Sequence, residues 1–234
     1  DPFQKASVVF VPEGGATQDE LFLFLGGTGG NCHNHKWVTA TAATAGYTSI
    51  CLGYLNDPSA LEYCIDEISA DPETTCGGDF RRENIYGEDH KPGLNIGPQN
   101  SIQGRLKSLL AYLEETEPAL DLGRYLTDDG PDWSQIVVAG FSQGGGNAGI
   151  LSQDHDMPRA IFFSKGIGAA FYPTGDACSE LADCPPEAEV CNSGACVRVE
   201  PSPYYTEARQ TPPERSYGFI HEYEDACNYN GEAC

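Results

Sequence analysis

The stretch Ile136-Val137-Val138-Ala139-Gly140-Phe141-Ser142-Gln143-Gly144 limits what this chain can become more than any other part of it. Its first four residues are apolar with no alternation. That pattern predicts a strand buried on both faces, as in a parallel sheet covered by helices. A Gly-x-Ser-x-Gly turn follows at once, and a helix-compatible stretch follows the turn. A strand, a sharp turn and a helix are the setting in which this motif carries chemistry. A serine hydroxyl is a weak nucleophile unless it is held out on such a turn beside a base. Gly140 and Gly144 suit positions where a Cβ would crowd the turn. The N–H of Gln143 would open the helix and point to where negative charge develops on an attacked carbonyl.

A second glycine-rich loop has the same placement. Leu21 to Leu25 (Leu-Phe-Leu-Phe-Leu) predicts another fully apolar strand, and it runs into Gly26-Gly27-Thr28-Gly29-Gly30. The loop lacks the Lys-Ser/Thr ending of a phosphate-binding P-loop and the spacing of a dinucleotide site. Beside a serine turn it predicts the other half of an oxyanion hole, with the N–H of Thr28 as donor.

Composition narrows the class. The chain has 234 residues, 40% of them hydrophobic, enough for one sizeable α/β core. No stretch reaches the apolar length of a membrane span. A net charge of −22 argues against nucleic-acid binding, because phosphates would be repelled. Ten cysteines, an even number, predict an exported protein with disulfides, secreted or periplasmic. With Asp1 first and no Met or charged-then-apolar leader, the expectation is a signal peptide either removed or left out of this sequence.

The remaining segments supply strands and helices around the two loops. Ala6–Val11 predicts a first strand. Cys32-His33-Asn34-His35 is too tightly spaced for the usual zinc patterns and predicts polar residues opening a helix. That helix is expected over His35–Ala45, with Trp37 and several alanines on the sheet and Gly46 ending it. Ser49–Tyr54 predicts a third strand. Residues 55–99 read as a loop-rich excursion with a short helix at Ala60–Ile68, braced by a Cys64–Cys76 disulfide. Arg81, Arg82 and Glu83 read there as a solvated charge cluster. Ile102, Leu106, Leu109, Leu110 and Leu113 predict a helix capped by Asn100 or Ser101. Arg159–Ser164 predicts a further buried strand, and Tyr217–Tyr223 a last one. Cys178, Cys184, Cys191 and Cys196 fall in a stretch with little apolar content, so two bridges are expected to hold it.

This order of motifs resembles the α/β-hydrolase superfamily, from about Leu21 to Asp225. It is most similar to secreted, esterase-like bacterial members that carry Gly-x-Ser-Gln-Gly-Gly. The resemblance implies an α/β fold with a mostly parallel sheet flanked by helices. It implies one domain over residues 1–234, with the cysteine-rich insertion at 176–199 inside it. It implies a Ser, acid, His triad in that chain order. Ser142 matches the nucleophile. Phe219-Ile220-His221-Glu222-Tyr223-Glu224-Asp225 matches the family's acid-bearing segment, with Glu222 where the family has glycine, so Asp225 is the expected acid and Asp176 the second choice. No histidine follows His221, and His221 reads as a packed strand-end residue. The expectation is therefore that the closing strand and helix, with the base, lie beyond Cys234 or on a separate C-terminal fragment.

The expected activity is hydrolysis of a carboxylic ester, small or lipid-like, by Ser142 with Asp225, Thr28 and Gln143, without cofactor or metal. The rival is a non-catalytic binder with a hydrolase fold, working through residues 176–199. Acyl transfer to an alcohol would share the site and differ in water exclusion.

Overall fold

The computed structural model describes residues 5–71, 74–164, 169–180, 183–185, 190–192, 195–201 and 208–219. A six-stranded sheet carries the chain. In order of appearance its strands are β1 (Val8–Phe10), β2 (Leu21–Leu25), β3 (Ser49–Leu52), β4 (Ile136–Phe141), β5 (Ala160–Phe163) and a last strand, β9 (Ser216–Phe219). Their order across the sheet is β1-β3-β2-β4-β5-β9. All neighbours pair in parallel except β1, which runs antiparallel to β3. This is the mostly parallel α/β sheet that the unbroken apolar runs predict.

Burial on both faces explains those runs. On one face Leu21, Leu23, Leu25, Ile136 and Val138 meet the helices α3 (Cys76–Tyr86), α4 (Ile102–Thr116) and α5 (Gln143–Asp154). Ile85, Ile102, Leu106, Leu110, Ile150 and Leu151 are the helical side of that core. On the other face Phe22, Phe24, Val137 and Ala139 pack with Cys32, Val38 and Ala42 of α1 (Cys32–Thr44). Alternate residues of one strand thus serve different layers, as the period of a strand requires.

Several boundaries differ from the sequence reading. Helix α1 starts at Cys32 because Asn31 caps it, its side chain accepting from Asn34 N at 3.1 Å. Trp37 does not pack on the sheet; it is 74% exposed. Ala42 and Ala43, smaller and about a turn and a half on, are buried instead. Residues 55–99 hold two helices. The expected one is α2 (Ala60–Ala70), started by a Ser59–Glu62 capping box. The other, α3, was not expected. Its glycines and charges hide it, yet Phe80, Arg81, Glu83, Asn84 and Ile85 are all buried. The charge cluster is therefore not solvated as a whole: Glu83 accepts from the N–H groups of Lys91 (2.8 Å) and Ile96 (3.0 Å), which organises the loop after α3.

The Cys64–Cys76 disulfide forms as expected and joins α2 to α3. A second, Cys32–Cys51, ties the start of α1 to β3. Described parts of the cysteine-rich stretch contribute to a three-stranded sheet of order β6-β8-β7: β6 (Ala169–Ala177), β7 (Val190–Asn192) and β8 (Ala195–Pro201). Strand structure there was not anticipated, because the segment's sparse apolar residues give no run. Cys184 and Cys196 are bridged, and Cys178 is also in a disulfide. The sulfurs of Cys178, Cys184 and Cys196 lie within 4.8 Å of one another. Being disulfide sulfurs, they offer no thiolate to a metal.

No helix among the described residues is long and apolar enough to cross a membrane.

Candidate active site

The two glycine loops meet at a point the topology selects. Strands β2 and β4 are neighbours, with Leu25 opposite Gly140. The chain leaves β2 for α1 on one face and leaves β4 for α5 on the other. A sheet whose connections diverge in this way opens a crevice at the carboxyl ends of the diverging strands. Gly26–Gly30 and Gly140–Gly144 form its two lips.

Ser142 is the turn between β4 and α5, with φ 51° and ψ −114°. That left-handed backbone is costly for a residue with a Cβ and is kept only where the surroundings impose it. The surroundings do. A Cβ on Gly140 would stand 2.2 Å from the Gly144 carbonyl, and one on Gly144 would stand 2.1 Å from the Leu25 oxygen. Both contacts are with backbone, so neither position admits a side chain. Gly27 has a similar role: its Cβ would meet Phe141 at 2.9 Å and Ser142 Cβ at 3.2 Å. The loop after β2 therefore lies directly against the serine.

The donors follow from the same geometry. Ser142 precedes α5, whose first amides have no intrahelical acceptor. The first internal bond is Gly146 N to Ser142 O, at 3.1 Å. Among the described residues nothing accepts the N–H of Gln143. The same holds for Thr28, although Gly29 N donates to Asn56 O (3.1 Å) and Gly30 N to Gly27 O (3.0 Å). The Thr28 hydroxyl donates to Gln143 Oε1 at 3.1 Å and holds the two lips side by side. Thr28, Ser142 and Gln143 are thus brought together.

Three carbonyls of the glycine loop are held by donors from outside it. The Tyr54 hydroxyl donates to Gly26 O at 2.5 Å, and Asn56 Nδ2 donates to Gly27 O (2.6 Å) and Gly30 O (3.0 Å). Lys5 Nζ in turn donates to Asn56 Oδ1. Tyr54 is fully buried, and burial drives its pKa well above the ordinary phenol value, so it stays a donor. Neither Tyr54 nor Asn56 was singled out from sequence. Their signal, a polar pair just after a buried strand, is too common to read.

His35 was also missed. It is half-buried below the glycine loop, where a Cβ on Gly30 would stand 2.8 Å from its Nε2. Its ring contacts those of Phe24 (centroids 5.4 Å apart) and Phe141 (5.7 Å). Burial lowers its pKa, so the ring is neutral near pH 7.

Asp225 and His221 lie outside the described residues. Asp176 is on β6 in the smaller sheet rather than at a carboxyl end of the main one, because the segment after β5 builds that second sheet. Among the described residues no side chain hydrogen-bonds the Ser142 hydroxyl. His33 is exposed on α1, and His90 pairs with Glu88 at 3.3 Å. His155 stands at the far end of α5, a helix of 12 residues and so about 18 Å long. There it stacks on Trp133 and contacts the Tyr86 hydroxyl at 3.0 Å. A cavity of about 520 Å³ lined by Tyr86, Trp133, His155 and Asp156 opens at that end, remote from Ser142.

No family model matches the chain, and no curated protein matches it. Two solved structures of Thermogutta terrifontis esterase 2, one phosphonylated by cyclosarin and one phosphoramylated by tabun, are similar to 69% of this chain. The TM-score is 0.36 and the identity 15% in both cases, and the match spans 53% of the esterase, about half its length.

Proposed function

We propose that this protein is a serine hydrolase of the α/β-hydrolase type that cleaves carboxylic esters outside the cytosol. One observation carries the reading: a serine in strained left-handed backbone stands between two amides that no described residue accepts. Strain of this kind costs about 1–3 kcal/mol and collects at working sites. In the proposed reaction the Ser142 hydroxyl attacks the ester carbonyl. The N–H groups of Gln143 and Thr28 hold the oxyanion. A histidine takes the serine proton and returns it to the leaving alcohol, and Asp225 orients that histidine. Water then releases the acid by the same path in reverse. Export is supported by the disulfides at Cys32–Cys51, Cys64–Cys76 and Cys184–Cys196.

The second reading is a binder with a hydrolase fold. It is favoured by the lack of a described hydrogen bond to Ser142 and by the separate disulfide-bonded sheet. A fluorophosphonate probe separates the two. Labelling of the wild-type chain, mapped to the peptide containing Ser142 and abolished in Ser142→Ala, is expected. An unlabelled wild type beside a labelled control esterase would refute the enzyme reading.

A further inference from the structure

Three loops leave the carboxyl ends of adjacent strands around Ser142: Gly26–Gly30 after β2, residues 53–59 after β3, and the turn into α5 after β4. One side chain reaches all three. Gln143 is 4% exposed, so its carboxamide is enclosed rather than solvated. Its Oε1 accepts from the Thr28 hydroxyl at 3.1 Å, and its Nε2 donates to Pro58 O at 3.5 Å.

The Pro58 carbonyl fixes which way round the carboxamide sits. A carbonyl only accepts, so it faces the NH2 end and leaves the oxygen end for Thr28. That oxygen also only accepts, so the Thr28 hydroxyl must be the donor. A hydroxyl has one proton to give. Directed at Gln143 Oε1, it is not aimed at an oxyanion on Ser142. The Thr28 N–H differs, because among the described residues nothing accepts it, while Gly29 N and Gly30 N are tied to Asn56 O and Gly27 O. The two residues whose amides are open are therefore the two whose side chains are bonded to each other.

We infer that the Thr28 hydroxyl and the Gln143 carboxamide form a latch that sets the spacing of the Thr28 and Gln143 amides, and that the hydroxyl is not itself an oxyanion donor. Both side chains are positioning groups that act through the two amides. The inference rests on the proposed role of Ser142 and deepens it by limiting the donors to those amides.

The test is a double-mutant cycle on the full chain: Thr28→Val, Gln143→Met and the pair, with Thr28→Ser as the conservative replacement. kcat and KM are measured on p-nitrophenyl acetate, and hydrogen exchange at the Gly29 and Gly30 amides is followed by NMR. Each single variant should lower kcat by roughly five- to a hundredfold, from the net worth of one neutral hydrogen bond up to that of a group displaced by about 1 Å. KM should stay within about twofold, because the loss is felt only as the oxyanion forms. The pair should be slower than the slower single variant by no more than about twofold, since both substitutions break one bond. Thr28→Ser keeps the hydroxyl and should restore kcat. Exchange at Gly29 and Gly30 should quicken in both Thr28→Val and Gln143→Met.

A slow Thr28→Val beside an unimpaired Gln143→Met would make the hydroxyl a third donor and overturn the latch. Losses that multiply in the pair would overturn it too, as would a lowered Tm with kcat unchanged. If the wild type turns over no ester, the role of Ser142 falls. Faster exchange in both variants would then keep the latch as a feature of the loops, and unchanged exchange would remove it as well.

Discussion

Replacing Gly144 by alanine tests the turn with one added carbon. Its Cβ would lie 2.1 Å from Leu25 O, 2.6 Å from Leu25 C and 2.7 Å from Gly26 O. Real Cβ atoms essentially never come closer than 3.0 Å and ordinary contact begins at 3.4 Å, so the start of α5 must retreat from the end of β2 by roughly 1 Å. No rotamer change relieves this, because every contacted atom is main chain. Overpacking of this kind costs about 1–3 kcal/mol. For a chain of this size that lowers Tm by roughly 2–12 °C, at about 2–4 °C per kcal/mol. The effect on activity should be larger. The Gln143 amide moves with the helix, and in its proposed role as an oxyanion donor its loss costs about 100- to 1000-fold in kcat. Thermal melts and the rate of fluorophosphonate labelling measure the two effects. Gly218→Ala is the control: its Cβ would meet nothing within 4 Å, so stability should change by less than about 0.5 kcal/mol. Wild-type melting and labelling in Gly144→Ala would refute the packing argument for the turn.

Further expectations concern the supports of the site. Tyr54→Phe leaves the buried Gly26 carbonyl without its donor and should cost about 1–3 kcal/mol in denaturant unfolding. Removing the Cys32–Cys51 disulfide with a double serine variant opens a link with a sequence separation of 19 and should cost about 3 kcal/mol, seen as a lower Tm. Glu83→Ala strips two buried amides of their acceptor, and hydrogen exchange at Lys91 and Ile96 should speed up while α4 stays protected. His35 has its pKa depressed in the folded chain by burial, so the unfolded chain binds protons more readily. Stability from this group is complete above the unfolded value of 6.5 and is lost as pH falls through it towards the lower folded value. The drop in Tm between pH 7 and pH 5 should be smaller in His35→Phe.

The main sheet was legible because its strands advertise themselves. Leu21–Leu25 and Ile136–Ala139 are unbroken apolar runs, and each ends in glycines that only a close approach explains. Helix α4 was legible because its leucines keep a helical period and Ser101 caps it. Helix α3 was not, because Gly77 and Gly78 weaken its propensity, and its buried face mixes Arg81, Glu83 and Asn84 with Phe80 and Ile85, which breaks the apolar period. Local pattern cannot show that a charge will be buried with partners far along the chain. Trp37 failed for the opposite reason: a large ring suggested burial, but the helix presents it outward. In the candidate site, the adjacency of Ser142, Gln143 and Thr28 was readable from two motifs. Tyr54, Asn56 and His35 were not, since their roles exist only once β3 and α1 are placed beside the glycine loop.

The clasps on that loop come from distant stretches: Lys5 at the beginning of the chain, Tyr54 and Asn56 beyond β3. Gly26–Gly30 has little shape of its own, so its form is imposed by segments that arrive only when the tertiary structure closes. A partly assembled chain can therefore possess its helices and most of its sheet while the crevice is still unmade. The setting of Ser142 is therefore expected to form after the scaffold and to be lost before it.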